Sequence, residues 1–175
     1  MKEQRSFAVW LTGLPASGKS MIARSLANRL FQDGLAAVVL ESDTLRQIVG
    51  RDLTYSDRDR DQFYERLACL GALIASAGVP VIFDATAHLR RYRDAAKSLI
   101  PRVLEVLVDT PIEICRARDP KGLYAAAAQG TVQNLPGTQA AYEPPYAPHL
   151  TVDGQDDPEH SAELIMAELR KFLYV

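Results

Sequence analysis

Gly13, Leu14, Pro15, Ala16, Ser17, Gly18, Lys19 and Ser20 leave four residues between a glycine and Gly-Lys-Ser, a spacing suited to gripping phosphate. Glycines let the main chain come close to phosphate oxygens, and a helix starting at the lysine turns its positive end towards them. The lysine reaches β- and γ-phosphates, where it serves both binding and catalysis, and a hydroxyl at the next position ligates Mg²⁺. A glycine-rich connection can match this pattern by chance. Here an apolar run at 7–11 precedes it and a helical pattern at 19–32 follows it, which is the context a phosphate loop requires. These residues predict a nucleoside triphosphate ligand.

Other groups fall where they can complete a phosphoryl transfer. Glu41, Ser42 and Asp43 follow a second apolar run at 36–40. Transfer needs a carboxylate beside the γ-phosphate to orient and deprotonate the acceptor hydroxyl, and Asp43 is the choice. A capping role for Ser42 or Asp43 is compatible with that, and Glu41 is left between a Mg²⁺-bound water and bulk solvent. Arg46, three residues on, shares a helical side with Asp43. It either clamps an anion through parallel hydrogen bonds or is solvated. The run 57–61 alternates Asp and Arg and reads as a solvated helix start. Arg60 shares a face with Phe63 and Tyr64, a combination able to hold a nucleotide base, although burial is the default for Phe63. Asp84 ends a third apolar run and can approach Mg²⁺ or its water shell. His88 is expected at the surface or as a cap. Arg116, Arg118 and Lys121 enter a long irregular stretch, from which cations can close over a triphosphate.

Such groups need a rigid frame, and the chain is long enough to provide one. Its 175 residues suit a single domain. Strand-like runs at 7–11, 36–40, 79–83 and 102–108 alternate with helical patterns at 19–32, 43–49, 57–77, 89–99 and 111–116; a short strand at 150–152 and a helix at 158–173 close the chain. The expected face of the 57–77 helix is Phe63, Leu67, Leu70 and Ile74. Apolar strands between helices predict an α/β fold with a mostly parallel sheet covered on both faces. Ligands then bind beyond the carboxyl ends of the strands, which gathers 13–20, 41–43, 84–88 and 109–110 around one cleft. Residues 119–149 show little periodicity, and so long a connection is expected to be a lid.

Composition narrows the partners. A formal charge of −2 argues against general nucleic-acid or membrane affinity, so a small anionic substrate has to be met by local cations. Cys69 and Cys115 are far apart and in no metal-ligand spacing; they are expected to be small core residues in a reducing, cytoplasmic setting. Residues 1–12 lack the pattern of a secretory leader, and the apolar runs are too short to span a bilayer.

With these residues in view, the chain resembles the adenylyl-sulfate kinases, a family of P-loop kinases, over nearly its whole length. Residues 13–20 are similar to the family's GLSGAGKS, and Leu40-Glu41-Ser42-Asp43-Thr44-Leu45-Arg46 to its LDGDNVR. Tyr55-Ser56 with Asp59-Arg60 resembles FS…DR. Val108-Asp109-Thr110-Pro111 and the stretch from Cys115 to Tyr124 resemble VDTP…CxxRDPKGLY, the most specific match, continued by Tyr142-Glu143-Pro144-Pro145. The resemblance implies ATP and Mg²⁺ as cofactors and transfer of the γ-phosphoryl group to the 3′-hydroxyl of adenosine 5′-phosphosulfate. It implies Asp43 as the base, Arg46 and Arg60 on the acceptor's anionic groups, Tyr55 in place of an aromatic that stacks on adenine, and Lys121 in a moving lid. Homodimers are common in the family, and no segment here marks an interface.

Four positions depart from the family pattern. Phe63 replaces an acceptor-binding Asn, Thr86-Ala87-His88 replaces ISP, Leu135-Pro136-Gly137 replaces FTG, and Asp84 stands where a small residue is usual. Phe63, Thr86 and Leu135 are therefore the substrate-binding positions at which the acceptor is set. A base-stacking aromatic is worth about 1–3 kcal/mol, so losing one bears on which acceptor fits. A P-loop kinase acting on another hydroxyl, such as that of a cytidine-linked nucleotide, stays open here, as does a nucleotide-binding regulator without turnover.

Overall fold

The computed structural model describes residues 7–174; half of the stretch 1–12, where no leader is expected, lies outside them. In chain order the elements are β1 (Ala8–Thr12), α1 (Lys19–Gln32), β2 (Val38–Glu41), α2 (Ser42–Val49), α3 (Asp57–Ser76), β3 (Val81–Asp84), α4 (Arg90–Leu99), β4 (Val103–Asp109), α5 (Ile112–Arg118), α6 (Leu123–Ala128), β5 (Leu150–Asp153) and α7 (Pro158–Tyr174). The five strands pair in the order β2-β3-β1-β4-β5, every pairing parallel. β1 sits between β3 and β4, so the loop leaving it opens where connections diverge to either side, the usual ligand crevice of such sheets.

Strand alternation sorts the core into two layers. Ala8 and Trp10 of β1 face a cluster with Phe63, Leu67, Phe83 and Tyr92. Phe7, Val9 and Leu11 face the other way, against Ile22, Leu26 and Leu30 of α1 and Ile165 and Leu169 of α7. Trp10 is fully buried and stacks on Phe83 at 4.3 Å between ring centroids. Its Nε1–H donates to Ala85 O at 3.1 Å. Leaving that donor unpaired would cost about 1–3 kcal/mol, so the indole ties β1 to the turn after β3. Arg93 of α4 is buried and donates from Nε to Glu105 Oε1 of β4 at 2.7 Å.

α3 is capped by Ser56, whose Oγ accepts from Asp59 N at 3.2 Å, a contact worth about 1 kcal/mol. Its buried face is not the expected one. Arg60, Phe63, Tyr64, Leu67, Ala68, Gly71 and Ala75 are buried, whereas Leu70 and Ile74 are only partly so. The small residues let the helix lie against the Phe83 ring, which rotates the larger Leu70 and Ile74 off the seam. Cys69 shares their displacement: it is exposed, not a core residue, while Cys115 is buried as expected.

Residues 119–149 are less irregular than their composition implies. Four consecutive alanines, Ala125 to Ala128, fall in α6, consistent with alanine's high helix propensity. Tyr124, Ala127 and Leu135 pack with Cys115 into a third small cluster that also touches Leu14 and Ala16 of the phosphate loop. No helix among the described residues is long and apolar enough to cross a membrane.

Candidate active site

The turn between β1 and α1 is held by contacts within itself. Gly18 takes φ 106 at the start of α1, a backbone setting that side-chain-bearing residues rarely adopt. Lys19 Nζ folds back to donate to Gly13 O at 3.1 Å and Leu14 O at 2.8 Å. Three other segments press on the turn from behind. Thr110 Oγ1 donates to Ser17 O at 2.9 Å, and Tyr124 Oη of α6 donates to Pro15 O at 3.0 Å. Gly154 lies so close that a methyl group there would sit 2.0 Å from Ser17 O. Arg118 Nη1 donates to Gly154 O at 2.8 Å, which brings one of the expected lid cations beside the start of α1. Arg116 is exposed and joins neither cavity described below, because it leaves α5 on its solvent side.

A cavity of about 150 Å³ opens in front of this turn, lined among others by Lys19, Ser20, Glu41, Asp43, Asp84 and Lys121. Parallel pairing explains the meeting: Glu41 and Asp84 are register partners at the ends of β2 and β3, and Asp84 pairs with Leu11 of β1. Burial holds the Lys19 ammonium below its usual pKa, with Asp84 pulling the other way. Burial likewise raises the Asp84 carboxyl, opposed by Lys19 and a bond from Ser20. Lys121 reaches from the 119–149 segment to bond Asp43 and approaches Glu41 at 3.9 Å, and its bond to Asp43 raises its pKa. Among the described residues no three His, Cys, Asp or Glu side chains gather into a self-sufficient metal cage. The Ser20 hydroxyl and the Asp84 carboxylate are nonetheless hard oxygen donors beside a phosphate loop, a set that suits Mg²⁺ completed by phosphate and water oxygens.

Asp43, Thr86 and Lys121 also line a second, larger cleft of about 1370 Å³, whose far wall carries Arg46, Tyr55, Arg60 and Leu135. The Arg46 guanidinium lies between the rings of Tyr55 and Phe63, 4.5 and 4.1 Å from their centroids. Arg60 donates from Nε to Tyr55 O at 3.1 Å and from Nη2 to Asn134 O at 2.7 Å. Among the described residues neither arginine is ion-paired with a carboxylate. Burial first, and then the neighbouring Arg46, lower the pKa of the Arg60 guanidinium, and the two cations together make a wall that favours an anion.

Residues 5–153 match the sequence profile of the family described as adenylylsulphate kinase. The chain belongs to the adenylylsulphate kinase family. It is 38% identical to an adenylyl-sulfate kinase of Pseudomonas aeruginosa over 172 residues, 97% of this chain and 88% of that protein. It is 39% identical to the bifunctional enzyme NodQ of Azospirillum brasilense over 98% of its own length but only 28% of NodQ. The fold superposes on the Mycobacterium tuberculosis APS kinase CysC, solved in complex with AMPPNP and APS, with a TM-score of 0.90 and 34% identity, covering 95% of this chain and 98% of that one.

Within this family frame, the expected site residues that reach a cavity fall into two groups. Lys19, Ser20, Asp43, Asp84 and Lys121 meet at the smaller cavity, and Arg46, Tyr55, Arg60, Thr86 and Leu135 at the larger cleft. Phe63, expected as a substrate contact, is fully buried beneath Arg46 and reaches the cleft only as the ring under that guanidinium. His88, expected at the surface or as a cap, is 4% exposed and precedes the α4 cap residue Leu89, because the loop after β3 turns it inward against α3 and Tyr92. Reasoning from sequence missed Asn134, whose contribution is a carbonyl that any residue could supply. It also missed Arg93, which donates to Ala87 O and, at 2.7 Å, to Glu143 O. Nothing in the series Arg90, Arg91, Arg93 marks which one turns inward.

Proposed function

We propose that this chain transfers the γ-phosphoryl group of ATP to the 3′-hydroxyl of adenosine 5′-phosphosulfate. The observation that carries this reading is that Asp43 opens onto both cavities, with the phosphate loop on one side and the Arg46–Arg60 wall on the other. ATP lies with its phosphates in the 13–20 turn and on Lys19. Ser20, and Asp84 directly or through water, would hold Mg²⁺, which when bound would supply charge neutralisation to the triphosphate. Arg46 and Arg60 hold the acceptor's anionic groups, and Tyr55 stacks on its base. Asp43 takes the hydroxyl proton as that oxygen bonds to the γ-phosphorus; the bond to the bridging oxygen breaks and ADP leaves. Lys121 gives up Asp43 and turns to the phosphates, so the ion pair it makes here belongs to a lid waiting for substrate. A reducing cytoplasmic setting and a homodimer complete the reading.

Leu135 favours a second reading. An aliphatic side chain here, where the resembled pattern has an aromatic, leaves Tyr55 as the base's stacking partner in this cleft, which suits another base or another hydroxyl-bearing acceptor. A coupled assay of ADP release with adenosine 5′-phosphosulfate, a cytidine-linked nucleotide and a sugar acid separates the two. Release with adenosine 5′-phosphosulfate alone supports the first; release with another acceptor alone replaces it. ATP binding with no release in any mixture would mean a nucleotide-binding protein without turnover.

A further inference from the structure

His88 lies in the loop between β3 and α4, buried against α3. Its Nδ1 is 3.4 Å from Arg60 Nη1. With the bonds to Tyr55 O and Asn134 O, this contact holds the Arg60 guanidinium from three directions, by three segments far apart in the chain. Two of the three acceptors are backbone carbonyls, which every residue offers. The third is an imidazole nitrogen, and it can accept only if the ring is neutral with its lone pair on Nδ1, since a guanidinium has donors alone.

The surroundings of His88 keep it in that form. Burial, then Arg60, push its pKa down to about 4, with Arg91 acting the same way and Asp57 and Glu143 opposing. Asp61 faces it as well. Tyr92 meets the ring edge-on at 5.5 Å, and Glu143 N donates to His88 O at 2.7 Å. Side chain and backbone of His88 are therefore both fixed, one by α3 and α4 and the other by the end of the lid segment.

We propose that His88 is a positioning residue for Arg60: by accepting from Nη1 it sets the plane in which the guanidinium faces the acceptor's anionic group. This rests on the reading that Arg60 holds the acceptor. Without an acceptor atom at position 88, Nη1 is left buried and unpaired. The planar fork then rotates towards water or another carbonyl and loses the alignment that paired hydrogen bonds to an oxyanion need. Hydrogen bonds to charged groups are among the stronger ones, so the loss is expected to raise the acceptor's KM about tenfold, because the group acts on acceptor binding and not on ATP.

The test compares His88→Leu, which removes the acceptor atom, with His88→Asn, whose Oδ1 takes the place of Nδ1, using adenosine 5′-phosphosulfate as the probe. His88→Leu is expected to raise the KM for the acceptor about tenfold with kcat and the KM for ATP changed less than about twofold, and His88→Asn to return it to within about threefold. Arg60→Gln is expected to raise the acceptor KM at least as much. The double variant Arg60→Gln/His88→Leu should be no worse than Arg60→Gln alone, because the two act as one unit. An unchanged KM in His88→Leu, beside a raised one in Arg60→Gln, overturns the role of His88 and leaves that of Arg60 standing. An unchanged KM in Arg60→Gln overturns both. A nitrogen-15 NMR spectrum of the unmodified protein reads the same point independently of whether the variants fold. The proposal requires the Nε2–H tautomer with Nδ1 bare, and an Nδ1–H signal overturns it.

Discussion

At the phosphate end of the cleft, Lys19 is bonded to carbonyls five and six residues before it. At the acceptor end, Arg60 reaches Asn134, 74 residues away, and His88, 28 away. The first arrangement is complete once one turn has formed between β1 and α1. The second exists only when the 119–149 segment has docked and the loop after β3 has turned inward. Local contacts close cheaply and long-range ones carry the entropy of ordering the chain between them. The hold on Lys19 is thus local, although Thr110, Tyr124 and Gly154 brace the turn from afar, whereas the hold on Arg60 itself is built largely from distant segments. Substitutions at the two ends should therefore fail differently: in the rate of transfer at one, in acceptor affinity at the other.

The largest effect is expected from Lys19→Ala. Removing a positioned cation from the transferring phosphoryl group should lower turnover by about 1000-fold, while the melting temperature holds or rises because a buried ammonium is gone. Coupled ADP release and a thermal melt measure the two. A greater loss of kcat in Arg60→Gln than in Lys19→Ala would reverse the division of labour between the ends.

Asp43→Asn sharpens the boundary between the halves, since Asp43 borders both. It should slow transfer about 100-fold through loss of the base while ATP affinity, read by calorimetry, stays within a few-fold. Near-normal transfer would move the base elsewhere and dissolve the shared border. A smaller effect belongs to Tyr55, whose ring lies under Arg46 and is 58% exposed. Tyr55→Ala should raise the acceptor KM about tenfold, the cost of one stacked base, and leave the KM for ATP unchanged. A rise in the ATP KM instead would mean that the aromatic wall serves the donor nucleotide.

The same contrast governs what a reader of the sequence could see. Lys19, Ser20 and the helix they open are adjacent residues, so type and spacing alone locate them. The meeting of Glu41 and Asp84 follows from the parallel sheet, which the alternation of apolar runs and helices announces. The Arg60 junction does not follow from any local pattern. His88 carries no surrounding periodicity, and Asn134 contributes only its carbonyl. Phe63 reads both ways, because an aromatic beside an arginine fits a base platform and a buried helix face equally well, and the structure buries it. Cys69 and Leu70 were placed in the core by residue type, when the phase of α3 is set by the small residues Ala68, Gly71 and Ala75 against Phe83. Size complementarity between elements far apart in the chain is the information a single sequence withholds.

The smallest effect is on stability, and it probes whether the acceptor end is as dry as its packing implies. His88 has a pKa of about 4 in the folded chain against 6.5 as its ordinary value. Between these limits the unfolded chain binds a proton that the folded chain refuses, so stability is full above pH 6.5 and is lost as the pH falls towards 4. At about 1.4 kcal/mol per unit of pKa difference, the part lost between pH 7 and pH 5 is on the order of 1–2 kcal/mol. Other groups pull in both directions over the acid range. Asp61, held low first by its bond from Arg91, loses stabilisation as the pH falls, while Asp84, raised by burial, gains it. The His88→Asn variant carries all of these but not the imidazole, so the difference between the two proteins isolates it. Urea unfolding at pH 7 and pH 5 should show the unmodified protein losing about 1–2 kcal/mol more than His88→Asn. Equal losses would mean that water reaches the ring, that the junction with Arg60 opens in solution, and that the acceptor end is looser than its three-way hold on the guanidinium implies.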